Sequence, residues 1–142
     1  MKILGLDIGD AWTGTALSDA LGITARPHKT AATGELEAFL TNLFKQENIG
    51  TVIVGYPKTM RGTESDQTKK VIAAKEQLEA TFPDKKWILW DERLSSKRAG
   101  DLKQSKSKED KIQSHSLAAA FILSSYLDYQ AFHRATDDSD TE

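Results

Sequence analysis

The sequence contains no cysteine. That excludes a disulfide framework, a thiolate zinc site and a cysteine nucleophile, and it fits a reducing compartment. Long apolar runs are missing too. The N-terminal Met1-Lys2-Ile3-Leu4-Gly5-Leu6-Asp7 is too short for a signal peptide and is interrupted by an acid, so secretion is not expected. No stretch approaches the length of a membrane span, so no membrane partner is expected and a cytoplasmic location is. An excess of positive charge is also lacking. The formal net charge is -2, which counts mildly against a nucleic-acid binder. That average hides an uneven distribution. The last six residues hold four acids and no base, whereas Glu92 to Lys108 carries six basic residues against two acids.

What is present describes one ordinary domain. The 142 residues are 39% apolar and 28% charged, enough to bury a real core. Residues 2–8 alternate, are bounded by glycine and read as a buried strand. Thr13 to Ser18 is a second candidate strand. Ile23 to Lys29 is a third, placed at a sheet edge by Pro27. Leu36, Phe39, Leu40, Leu43 and Phe44 then recur at helical spacing, with Thr33 as a candidate N-cap. Thr51-Val52-Ile53-Val54-Gly55 is a β-branched run typical of a strand covered on both faces. Val71, Ala74, Leu78 and Phe82 mark a second helix, stopped by Pro83. Trp87 to Trp90 is a fifth strand. Ser95 to Gln104 reads as a short helix. Ile112 to Phe132 is a long final one, with Ser107 as a candidate cap. The expected fold is α/β: a mixed five-stranded sheet, three antiparallel strands followed by two parallel ones, flanked by helices. Residues 1–132 form the domain. The acidic segment 133–142 reads as a disordered tail.

The chemistry centres on Asp7. A carboxylate on a buried strand is costly unless it is paired or bound to a cation. The bland reading, an acid solvated at a strand end, has even weight for Asp7 taken alone. Asp91-Glu92-Arg93 follows the fifth strand directly, and its two acids and arginine suit a divalent cation and a phosphate. Alone, such a triplet is more often a solvated turn. Adjacent parallel strands would bring it and Asp7 to one sheet edge. The loop from Gly55 to Thr63 offers Lys58 and Arg61 for a phosphate backbone but lacks the ending of a P-loop. His115, early in the last helix, is a candidate ligand; His28 and His133 have no comparable context. Trp12 could stack on a base, although a core anchor is the commoner role for such a residue.

These segments together resemble a known family. Gly5-Leu6-Asp7-Ile8-Gly9 with Gly14 to Asp19, Ile53 to Pro57 with Met60 to Thr63, Asp91 to Ser96, and Ala118-Ala119 with Ile122-Leu123 and Tyr126-Leu127 look like the ordered motifs of the YqgF family, also called RuvX. The resemblance runs from Lys2 to about Asp128. It implies an RNase H-like fold related to the Holliday-junction resolvase RuvC. It further implies a nuclease that matures the 5′ end of the small-subunit ribosomal RNA precursor, pre-16S rRNA; resolution of branched DNA is the older inference for the same family. Asp7 matches the family's first-strand aspartate, and Asp91-Glu92-Arg93 its acidic pair and arginine, with Glu92 preferred as ligand.

Two positions depart from the family pattern. Asp10, Ala11 and Trp12 stand where basic residues are common. His115 stands where a third carboxylate is expected, just before the paired alanines.

The implied chemistry is phosphodiester hydrolysis assisted by two Mg2+ or Mn2+ ions. Asp7 would bridge the ions, with Glu92 and His115 each completing a site. Arg93, Lys58, Arg61, Lys97 and Arg98 would hold phosphates. Two rivals remain. Asp7-Ile8-Gly9 also resembles the phosphate turn of the actin and sugar-kinase superfamily, although those proteins need two such domains. A non-catalytic RNA-binding factor on the same fold is the other. The oligomeric state stays open.

Overall fold

A computed structural model describes the backbone of residues 1–56, 66–91 and 108–140, and the side chains of these except 108–113 and 134–140. The chain opens with three strands, β1 (Lys2–Ile8), β2 (Trp12–Ser18) and β3 (Ala25–Ala32). A short 3-10 turn, Thr33–Glu35, leads into α1 (Leu36–Gln46). Then follow β4 (Ile49–Tyr56), α2 (Asp66–Thr81), β5 (Lys86–Asp91) and the long α3 (Lys108–Asp140). The strands form one sheet in the order β3-β2-β1-β4-β5. β1, β2 and β3 pair antiparallel, while β4 runs parallel to both β1 and β5. This is the mixed sheet that the sequence pattern predicts. No helix of the described residues is long and apolar enough to cross a membrane.

Strand alternation gives the sheet two apolar faces. Leu4, Leu6 and Ile8 of β1 join Val52 and Val54 of β4 and Trp87 of β5 in a core with Leu36, Leu40 and Leu43 of α1 and Val71 and Leu78 of α2. The opposite face carries Ala16, Ile53, Ile88 and Trp90, packed under Ala119, Ile122, Leu123, Tyr126 and Leu127 of α3. Because β4 is covered on both faces, Val52, Ile53 and Val54 are all fully buried. Small residues let α3 lie close to the sheet. A Cβ added at Gly5 would stand 2.9 Å from Leu123 Cβ and 3.1 Å from the carbonyl oxygen of Ala119.

Several element limits differ from the sequence pattern, each for a local reason. The third strand starts at Ala25 rather than Ile23. The Asp19 carboxylate accepts hydrogen bonds from the backbone N–H groups of Ile23 (2.7 Å) and Thr24 (3.1 Å), and Gly22 adopts a positive φ of 70°. These bonds hold the segment as a turn and lower the Asp19 pKa. β3 is an edge strand, as Pro27 requires. Thr33 does not cap α1. Its hydroxyl donates instead to the Gly9 carbonyl at 2.7 Å, so Thr13 is the donor in the 2.9 Å bond between the two threonine hydroxyls. α3 continues past Phe132, where its apolar pattern stops, to Asp140. The expected helix at Ser95–Gln104 and the cap at Ser107 lie outside the described residues.

Candidate active site

Asp7 occupies the last turn of the pleat in β1, on the face covered by α3. Pairing fixes what surrounds it. One row across the sheet runs Thr30 on β3, Gly14 on β2, Asp7 on β1, Gly55 on β4 and Trp90 on β5. Asp7 is therefore flanked by glycine on both neighbouring strands. Neither neighbouring strand sets a side chain beside the carboxylate, and over Gly14 the space is taken by the main chain of the last helix. Trp90 closes one end of the row, its ring edge-on to Tyr126 (centroids 5.3 Å apart) and its Nε1–H donating to Ser125 Oγ at 3.2 Å. Thr30 closes the other, hydrogen-bonded at 2.5 Å to Ser116 Oγ of α3.

The early part of α3 lies directly over this row. A Cβ at Gly14 would fall onto the main chain of His115 and Ser116, so only glycine admits the helix there. That close approach delivers the His115 ring to Asp7, with Nδ1 3.8 Å from the carboxylate Oδ2. The side chains of His115 and Asp7 are 28% and 12% exposed, enough for access from solvent without full hydration. The tight β1–β2 connection supports the other side. Gly9 N–H donates to the Trp12 carbonyl at 3.0 Å, Thr33 N–H donates to the Ala11 carbonyl at 2.9 Å, and the Thr33 hydroxyl holds Gly9. A Cβ at Gly9 would meet the Trp12 carbonyl at 2.7 Å and the His115 ring at 3.7 Å.

The pair suits a cation. At 3.8 Å it is too long for a hydrogen bond, and His115 Nδ1 is buried without a hydrogen-bond partner. A buried polar atom left so is costly. Divalent ions hold nitrogen and oxygen ligands at roughly 2.0–2.2 Å, so two atoms bound to one ion lie within about 4.4 Å of each other. One carboxylate oxygen and one imidazole nitrogen at the observed separation meet that condition. Among the described residues no group of three His, Cys, Asp or Glu side chains is arranged to hold a metal, so Asp7 and His115 would supply part of a ligand set.

The remaining sequence candidates divide. Asp91 ends β5 at the same sheet edge, opposite Tyr56. Alternation turns it away from Asp7: Ile88 and Trp90 pack on the α3 face, whereas Trp87 and Leu89 pack against the α1 and α2 side. Glu92, Arg93, Lys58, Arg61, Lys97 and Arg98 lie outside the described residues. Trp12 is half-buried at the start of β2 and belongs to neither core cluster. Asp10, exposed in the β1–β2 turn, stands 3.5 Å from Lys70 of α2, a solvated pair of little energetic weight. Sequence reasoning did not place Gly14 and Gly55 on either side of Asp7. A glycine inside a strand was their signal, but only the pairing register reveals what they flank.

The sequence profile of the RuvX family, described as Holliday junction resolvase, matches residues 1–129. The chain belongs to the RuvX family. A relative from Rubrobacter xylanophilus, named "Putative pre-16S rRNA nuclease", is 37% identical over 128 residues, covering 89% of this chain and 92% of its own. One from Staphylococcus saprophyticus with the same name is 38% identical over 141 residues, covering 89% and 95%. Among solved structures, T. thermophilus RuvC in complex with a Holliday junction substrate superposes with a TM-score of 0.54 at 14% identity, covering 89% of this chain and 94% of that one. The yeast mitochondrial Holliday junction resolvase Ydc2 gives 0.54 at 12% identity, covering 91% and 78%. At such identities the likeness concerns the fold alone, and it is the RNase H-like fold that the family resemblance implies.

Proposed function

We propose that this RuvX-family chain is a divalent-metal-dependent nuclease that hydrolyses phosphodiester bonds in the ribosomal RNA precursor, at the 5′ side of 16S rRNA. One observation carries the reading: a buried carboxylate, Asp7, flanked by glycine on both neighbouring strands and faced by a buried imidazole nitrogen that has no hydrogen-bond partner. The shared name of the curated relatives supports the RNA substrate, and that substrate in turn supports action in the cytoplasm. The metals, Mg2+ or Mn2+, would be held by Asp7 and His115 together with Glu92, the residue after Asp91. The direction in which Asp91 faces favours Glu92 over it. Bound there, the ions would supply an activated water and charge stabilisation for the leaving oxygen. Asp7 would hold the ions at the sheet edge, and Arg93, Lys58, Arg61, Lys97 and Arg98 would hold the flanking phosphate backbone.

A second reading, cleavage of branched DNA, is favoured by the description of the family. Incubating the pure protein with ribosomal RNA precursor and with a four-way junction, each with Mg2+ and with Mn2+, separates the two. Metal-dependent cleavage of the precursor, with the junction left intact, is the expected result. No cleavage of either substrate in either metal would refute the nuclease reading and leave a non-catalytic RNA-binding factor.

A further inference from the structure

We infer that the metal site at Asp7 selects first-row transition ions over Mg2+, because one of its ligands is the imidazole nitrogen of His115. The inference rests on the nuclease reading for the existence of the site and adds the identity of the ion.

The geometry leaves the His115 ring little else to do. Its Nδ1 is buried, has no hydrogen-bond partner and lies 3.8 Å from Asp7 Oδ2. The backbone that carries the ring is held in place. The main chain of His115 is pressed onto Gly14, and the neighbouring Ser116 hydroxyl is tied to Thr30 at 2.5 Å. A ring carried in this way keeps Nδ1 turned toward the carboxylate, 3.8 Å from Oδ2.

Ligand chemistry then sets the preference. Mg2+ is small and hard, demands near-ideal octahedral oxygen coordination and gives up water reluctantly. A neutral nitrogen contributes little to it, and the site has one negative charge fewer than it would with a carboxylate in that place. First-row transition ions accept imidazole nitrogen, with affinity rising from Mn2+ to Co2+. The same replacement therefore weakens Mg2+ more than it weakens Mn2+ or Co2+.

The experiment uses the full chain and the metals alone. Mn2+ affinity is read from the electron paramagnetic resonance signal of free Mn2+, and Mg2+ and Co2+ affinities from displacement of bound Mn2+. Mg2+ should bind weaker than Mn2+ by on the order of tenfold or more. The electron spin-echo envelope of bound Mn2+ should show modulation from a directly coordinated imidazole nitrogen. Two other histidines, His28 and His133, are present, so the assignment requires the modulation to vanish in H115Q. In H115D the gap between Mn2+ and Mg2+ should narrow by about the same tenfold factor. If Mn2+ binds, is lost in D7N, and shows no nitrogen modulation in the wild type, the inference is wrong while the metal-dependent nuclease reading stands. If the wild type binds none of the three ions, both fall.

Discussion

The main chain of His115 occupies the space that a side chain at Gly14 would need. Gly14 is the β2 partner of Asp7, so this single contact sets how near the third helix, and with it the imidazole, comes to the carboxylate. Gly14→Ala should therefore act on two observables at once. Overpacking against backbone should lower stability by about 1–3 kcal/mol, read by urea unfolding. Displacing the helix start should weaken Mn2+ binding as well. Wild-type stability in this variant would show that the helix can lift from the sheet without cost.

Asp7→Asn should abolish cleavage, by at least on the order of a hundredfold, with the far-ultraviolet circular dichroism spectrum unchanged. The amide keeps the shape of the side chain and removes the charge that a cation needs. Asp7 is flanked by glycines and belongs to neither hydrophobic cluster, so the fold should tolerate the change. Residual activity near the wild-type rate would remove Asp7 from the metal site. Comparing Asp91→Asn with Glu92→Gln under the same conditions tests the direction in which Asp91 faces: the first should retain activity and the second should lose it.

Nucleic-acid affinity should fall steeply with salt despite the acidic composition. Each cation that displaces a condensed counterion contributes to the slope of log affinity against log salt. Replacing Arg93, Lys97 and Arg98 together by alanine should reduce that slope by roughly two to three. An identical slope in the wild type and the triple variant would exclude this segment from the binding face.

Stability should decline on mild acidification through His28. Burial, and secondarily the charge of Lys29, lower the His28 pKa below its ordinary 6.5, and its ring stands 6.4 Å from that of Phe39 in α1. The folded state thus favours neutral imidazole. The contribution is fully present above the ordinary value, shrinks as pH falls below about 6.5 and is gone below the folded pKa. His28→Gln should make unfolding free energy flatter with pH across that window. A slope identical to that of the wild type would assign the acid sensitivity elsewhere.

Most of the architecture could be read from local pattern. Alternation in residues 2–8, helical spacing from Leu36 to Phe44 and the β-branched run at Thr51–Gly55 each report which face of one element is buried, and the structure carries those faces inward. Limits set by side-chain hydrogen bonds escaped it. The Asp19 carboxylate holds Ile23 and Thr24 out of β3, and the Thr33 hydroxyl is drawn to Gly9 instead of capping α1. Neither preference is visible in the periodicity of apolar residues.

The candidate site divides along the same line. Sequence alone singled out Asp7, because an acid inside an apolar strand conflicts with its surroundings, and it placed His115 early in the last helix. It left Asp91 and Glu92 equivalent by pattern, since adjacent acids at a strand end differ only in the face they take. Strand register decided that Asp7 lies between two glycines and that Asp91 faces away from it. The crossing of the third helix over Gly14 brought His115 to within 3.8 Å of a residue more than a hundred positions earlier. The physical reason is that burial pattern is a property of each segment, whereas register and helix crossing depend on which backbones can touch. That is fixed by the absence of a side chain at a few glycines, and it takes effect only once the sheet has assembled.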